Sequence, residues 1–336
     1  MSNNKNIFSY KETIKERAIK KWRDIKKNAN ITRELVKKSI KIQYRNSAIG
    51  IFWTVLNPFL NMLVMFFVFG SILGYSDSDP SYALYLLCGN VIFNMMRGAT
   101  SQSLVSLVQN RGLLTKNKIS YYVFPLSNNL SALVNFLFSC IALLGVMLFV
   151  WIRGEAVFSW NFLLAFLMLP ALFLFNYGVS MILASLFVFF RDIQHFYSVF
   201  LTLWTYLTPI FYKIDRFKKT NATQTLADRF ITGIIKLNPM YHYVDNFRSV
   251  IYRNSASVAN LAKLEKLALE HNVAVESLHT VQGLNITEAY ILDTLHGAST
   301  FPGGGEFLTL YVIGLAFFAV GLVIYNATKR KFIFYV

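Results

Sequence analysis

The chain has 336 residues, of which 55% are hydrophobic, 16% aromatic and only 15% charged, and that is not the composition of a soluble domain. Its formal charge of +16 comes from 33 Lys and Arg against 17 Asp and Glu, and residues 1–50 alone hold fourteen basic and four acidic side chains. Charge gathered at one end, with apolar runs behind it, argues against nucleic-acid binding and for a membrane protein.

Cys88 and Cys140 both fall in apolar stretches, so neither a disulfide framework nor a zinc site is expected. The five histidines lack metal-binding company, and no phosphate-binding Gly-x-x-x-x-Gly-Lys-Ser/Thr occurs. The basic start has no apolar core followed by a small-residue cleavage site, so no removable signal peptide is expected.

Residues 1–50 read as a basic cytoplasmic region ending in an interfacial helix over 31–49. At helical spacing Lys37, Lys38, Lys41 and Arg45 share one arc, while Ile31, Leu35, Val36, Ile40, Ile42, Tyr44 and Ile49 fill the rest. The basic arc suits anionic head groups. Six segments then have the length and apolarity of spanning helices: 51–74, 84–106, 124–152, 162–190, 196–212 and 307–326. Arg111, Lys116 and Lys118 follow the second, and Lys329, Arg330 and Lys331 follow the sixth. Only Asp77 and Asp79 separate the first two, so both termini are expected to be cytoplasmic. Segment 213–306, with ten basic and nine acidic residues, is then extracytoplasmic. The expected fold is an all-α integral membrane protein, with spans one to five in 51–212 and the sixth span plus a cytoplasmic tail in 307–336.

None of the six spans contains Asp, Glu or Lys, which argues against an ion-coupled carrier or a charge-ring channel. Arg97 is the one clearly embedded charge. Asn90, Asn94, Arg97 and Ser101 follow helical spacing on one face of span two, either lining a path for cargo or gluing helices together. Trp53 suits the head-group boundary, and Pro58 suits a helix start. In the extracytoplasmic segment, Phe230, Tyr241 and Tyr243 lie in short apolar helices over about 227–252. These are expected to dip back between spans five and six as an outer gate. Residues of about 254–299 read as a helical insertion, with Leu261, Leu264 and Ala268 at helical spacing and Asn285 capping a helix from Ile286.

Several motifs occur in order. Arg45-Asn46-Ser47-Ala48-Ile49-Gly50-Ile51-Phe52-Trp53 and Leu56-Asn57-Pro58 join the interfacial helix to span one. Asn110-Arg111-Gly112-Leu113-Leu114-Thr115-Lys116 precedes Val123-Phe124-Pro125-Leu126. Arg191-Asp192-Ile193 precedes Trp204 and Leu207-Thr208-Pro209-Ile210-Phe211-Tyr212, and Leu237-Asn238-Pro239-Met240 precedes Phe247-Arg248. Together they resemble the membrane subunits of type-2 ABC exporters for polysaccharides, the O-antigen, capsule and teichoic-acid export family. The resemblance implies a bacterial inner-membrane permease that is not itself an enzyme and holds no cofactor. It implies a homodimer with two ATPase subunits that bind ATP and Mg, a lipid-linked polysaccharide as cargo, and no nucleic acid. Asn110, Leu113, Leu114, Lys116, Arg191 and Asp192 then become ATPase-coupling candidates, with Leu113 and Leu114 expected to need a partner to cover them. Lys41, Arg45 and Trp53 become candidates for the gate that admits cargo, and Tyr206 joins the channel-lining stripe. Export of a small molecule or lipid, or a multi-pass membrane enzyme, are the alternative readings.

Overall fold

A computed structural model describes residues 14–43, 50–72, 82–116, 119–152, 160–212, 226–280, 304–329 and 331–332. Every regular element among them is helical. α1 (Ile14–Gln43) begins well before the expected position 31 and runs 30 residues without Gly or Pro to break it. Residues 44–49, including Arg45, lie outside the described residues. The face of α1 around the buried Thr32 packs on the bundle, chiefly α5, while Arg33, Lys37, Lys38 and Lys41 are exposed. Lys37 pairs with Glu34 at 2.9 Å and holds that carboxyl below its usual pKa.

α2 (Trp53–Met65) follows a 3-10 turn in which Gly50 takes φ 57°, a conformation open to glycine without strain. Pro58 lies inside α2 rather than at its first turn, as the sequence had suggested, and the helix continues through a π turn, Phe66–Ile72. The bundle then comprises α3 (Tyr82–Gln109), the short α4 (Arg111–Lys116), α5 (Val123–Ile152), α6 (Leu164–Phe189) and α7 (Ile193–Leu207). After it come α8 (Leu226–Leu237), α9 (Pro239–Arg248) with a π turn at Ser249–Arg253, α10 (Asn254–Glu270) and α11 (Gly304–Thr328).

Among the described residues three helices, α5, α6 and α11, are long and apolar enough to cross a membrane. α3 has the length but carries the polar stripe, and α2 with its extension is shorter. The fifth expected span, 196–212, becomes a helix of 15 residues. Pro209 explains the early stop, because the residue before a proline is pushed out of the α region. Thr208 accordingly sits at φ −85° and ψ 124°.

α3 is the axis of the core. Its inward residues, from Tyr82 to Leu107, are buried against α2, α5, α6, α7 and α9. α6 and α11 run in the same direction and pack backbone to backbone. Ala171 and Gly178 on one meet Gly314 and Gly321 on the other, both pairs seven residues apart, and a Cβ on Gly178 or Gly321 would run into the facing main chain. These directions sort the molecule into two ends. The end of α3, α4, the start of α5 and the ends of α6 and α11 gather at one. The end of α7 and α9 meet the starts of α3 and α11 at the other.

Among the described residues α10 packs chiefly on its neighbouring turns, where Leu264, Ala268 and Leu278 form a satellite core apart from the main one. The expected insertion is therefore helical over Asn254–Glu270 and Val275–Thr280, and Asn272 closes α10 with φ 53°. Asn285 and the helix expected from Ile286 lie outside the described residues.

Candidate functional site

The expected coupling residues lie at the α4 end. Asn110 forms the corner: its side-chain amide donates to the Ser106 carbonyl at 2.8 Å, and its own carbonyl accepts from the Leu113 and Leu114 amides at 3.0 and 3.2 Å. Leu113 and Leu114 are half-buried, and their cover is internal. They rest on a cluster of Leu107, Phe124, Val188, Tyr325 and Phe332, so the expectation that only a partner could shelter them is corrected. Arg111 and Thr115 are exposed, as are Arg191 and Asp192 in the turn between α6 and α7. Lys116 closes α4, and its side chain lies outside the described set.

The end of α11 clamps this corner. The Tyr325 hydroxyl donates to the Tyr121 carbonyl at 2.8 Å, and Tyr177 donates to the Tyr122 carbonyl at 3.3 Å. Tyr122 donates to the Asn326 side chain, which also accepts from Lys329 at 2.6 Å. Phe332 is fully buried, edge-on to Tyr121 and Tyr325 at 5.6 and 5.3 Å. Burial pushes the Tyr121 phenol above its ordinary pKa.

All four stripe residues fall on the open face of α3. Asn94 donates to Asn90 at 2.8 Å, and Arg97 is exposed, reaching across to Thr205 of α7 at 2.7 Å with its guanidinium 5.4 Å from the Phe93 ring. Ser101 is half-buried one turn further on. The outer face of α7 continues this open strip with Phe196, Val199, Leu203 and Tyr206, each more than 60% exposed. Lys41 is exposed on α1, and Trp53 is half-buried at the start of α2.

At the α9 end, Phe230 is exposed on α8, and Tyr241 is half-buried with its hydroxyl 3.3 Å from Asp245. Tyr243 is a correction. It is fully enclosed between α6 and α11, donating to the Leu310 carbonyl at 2.8 Å, so it fastens helices and faces no opening in this chain.

Sequence reading missed the strongest polar site at this end. Among the described residues Arg248, not Arg97, is the buried cation: it is 3% exposed, lies 3.6 Å from the Tyr85 ring centre, and donates to three backbone carbonyls, those of Tyr85, Pro209 and Ile210. Asn238 completes the joint. It caps α9 through the Met240 amide at 3.0 Å, accepts from the Trp204 indole at 2.7 Å and donates to Thr208 at 2.9 Å. A sequence signal existed. Pro209 ends α7 in apolar surroundings and leaves carbonyls without helical partners, and Arg248 is the one Lys or Arg in the apolar stretch 237–252.

Comparison with known proteins gives a consistent answer. The family model described as ABC-2 type transporter matches residues 31–252. The chain is 28% identical over 216 residues to the O-antigen export system permease protein RfbA of Klebsiella pneumoniae, covering 64% of this chain and 78% of that one. It is 27% identical over 220 residues to the RfbA of Myxococcus xanthus, covering 66% and 79%. It is 22% identical over 215 residues to the polysialic acid transport protein KpsM of Escherichia coli, covering 64% and 78%.

Proposed function

Since the chain belongs to the ABC-2 type transporter membrane family, we propose that it is the permease subunit of an ATP-driven exporter that moves a lipid-linked polysaccharide across a bacterial cytoplasmic membrane. The observation that carries this reading is the match to O-antigen and polysialic acid permeases over most of their length. Energy then comes from a separate ATPase, and the α4 end is its cytoplasmic docking side. Arg111, Lys116, Lys118, Lys329, Arg330 and Lys331 all belong to that end in sequence, as the positive-inside rule requires. With that side fixed, α2, α3, α5, α6, α7 and α11 cross in alternating directions as six spans, and α8 and α9 fold back from the outer surface.

The open strip of α3 and α7 supports a homodimer as part of this reading. Arg97, Asn90 and Asn94 are too polar to face acyl chains, and the aromatic and aliphatic face of α7 lies beside them. Two protomers that meet along this strip enclose a path with polar groups for the glycan and flat aromatic rings for sugar faces. Removing the gene from its host and measuring glycan at the cell surface tests the reading. Glycan should accumulate inside the cell and return to the surface when the gene is restored; undiminished surface glycan in the deletion strain would overturn it. Because Leu113 and Leu114 serve the chain's own packing, ATPase docking is better probed at exposed positions. Arg111→Glu combined with Arg191→Glu should release a co-purifying ATPase while the permease stays folded.

A further inference from the structure

Beside the last turns of α1, where it passes α3 and the start of α5, lies a crevice of about 600 Å³, a size within the range of small-molecule sites. Its lining holds five carboxamides, four serines, one lysine (Lys38) and no carboxylate, with Leu35, Ile42, Val105 and Phe124 as apolar patches between them. Some of these polar groups are committed to the wall. Asn110 donates to the Ser106 carbonyl at 2.8 Å, Ser127 to the Phe124 carbonyl at 2.9 Å, and Gln43 accepts from Asn135 at 3.2 Å. Among the described residues, the side chains of Gln102, Gln109, Asn128 and Ser101 have no hydrogen-bond partner in the protein.

A wall of unengaged carboxamides has a specific chemistry. Each offers donors and an acceptor side by side, which complements a sugar hydroxyl that must both give and accept a hydrogen bond. The absence of any carboxylate from the lining, with Lys38 on the α1 side, adds tolerance for one anionic group. The apolar patches give the carbon face of a sugar ring, or the first carbons of a lipid, somewhere to rest. The position matters as well. The crevice ends at Asn110, whose carbonyl starts α4, so an occupant reaches the first residue of the coupling segment.

We propose that this crevice binds the phosphate-bearing sugar head group of a lipid-anchored glycan, and that binding there reports the presence of cargo to α4. The proposal rests on the permease reading above and names a site within a single protomer that adjoins the open strip of α3 and α7 at Ser101 and runs from there to Asn110. A phosphate-bearing, hydroxyl-rich head group could also come from an ordinary membrane lipid such as phosphatidylglycerol, and the experiment separates the two.

The full-length chain in nanodiscs is titrated with a short prenyl-diphosphate hexose, in the presence and absence of phosphatidylglycerol and of inorganic phosphate, with bound probe counted by native mass spectrometry. The double variant Gln102→Leu with Gln109→Leu keeps side-chain volume at two exposed positions, and its thermal midpoint checks folding. It should weaken probe binding at least tenfold, and Lys38→Gln should weaken it several-fold, with phosphatidylglycerol and phosphate poor competitors. Unchanged binding in the double variant overturns the proposal, as does displacement of the probe by an equal concentration of phosphatidylglycerol. If the wild-type chain restores surface glycan in the deletion strain yet binds no probe, the crevice assignment falls and the permease reading stands. If probe binding depends on Gln102 and Gln109 but surface glycan is independent of the gene, the permease reading falls instead.

Discussion

The Arg248 guanidinium occupies the space that a side chain on Gly89 would fill: a Cβ there would collide with its Nη2. The guanidinium cannot retreat, because three carbonyls and the Tyr85 ring hold it. Gly89→Ala is therefore predicted to lower stability by about 1–3 kcal/mol, the usual cost of overpacking. Arg248→Met, which takes the guanidinium away from three buried carbonyls, should cost about 3–5 kcal/mol. The two changes act on one contact, so the double variant should lose clearly less than their sum. Thermal unfolding of the four proteins in detergent, followed by tryptophan fluorescence, measures this; strict additivity would show that Gly89 and Arg248 are not coupled.

Phe332 and Tyr325 connect the last spanning helix to the segment expected to meet the ATPase. Phe332→Ala empties a fully enclosed site and should cost about 3–5 kcal/mol by the usual measure for buried aromatics. The loss should be local. A cysteine placed at Leu113 should react with a soluble maleimide several-fold faster in the Phe332→Ala background, while Phe332→Leu should keep most of the protection. Equal labelling rates in all three backgrounds would mean that the tail does not shelter α4.

Asn238 holds three elements at once: the first turn of α9, the Trp204 indole and the Thr208 hydroxyl. Asn238→Ala removes the cap, about 1 kcal/mol, and leaves a buried indole N–H unsatisfied for a further 1–3 kcal/mol or so. Asn238→Asp keeps an acceptor for the cap and the indole and should recover much of the loss. Trp204→Phe leaves the cap intact, so it should cost less than Asn238→Ala. The ranking of the three thermal midpoints checks the assignment, and a Trp204→Phe variant weaker than Asn238→Ala would reverse it.

How far the fold could be read from the chain depended on which rule dominated locally. α5, α6 and α11 are apolar enough that hydropathy placed them to within a few residues, and the spacing of Asn90, Asn94, Arg97 and Ser101 put them on one side of α3, where Arg97 is exposed and the other three are half-buried. Segment 196–212 misled because its apolar run continues through Thr208–Tyr212, where Pro209 bends the chain. Leu113 and Leu114 misled for another reason. Part of the cluster they rest on, Tyr325 and Phe332, comes from more than 200 positions further along, and no local pattern reports such a contact. Arg248 left only the trace of a lone cation in an apolar stretch, since the carbonyls that receive it belong to α3 and to the turn after α7.

The seam between α6 and α11 gives the last prediction. Inside a membrane, apolar side chains gain nothing from leaving lipid for one another, so close backbone approach through small residues is what holds two helices together. Gly178 and Gly321 sit where each helix presses on the other's main chain, and backbone cannot swing aside as a flexible side chain can. Gly321→Ala should therefore destabilise by about 1–3 kcal/mol, and Gly178→Ala by a similar amount. Gly145 on α5 has open space around its would-be Cβ and serves as the control. There Gly145→Ala should be neutral or add about 0.5–1 kcal/mol through helix propensity alone. Because α11 contacts Tyr243 near one end and Tyr121 near the other, loosening the seam should be felt at both. The Gly321→Ala variant should raise maleimide labelling at a cysteine replacing Leu113 and at one replacing Tyr241, relative to Gly145→Ala. Labelling that rises at neither position, with an unchanged thermal midpoint, would show that the two helices do not depend on glycine contact.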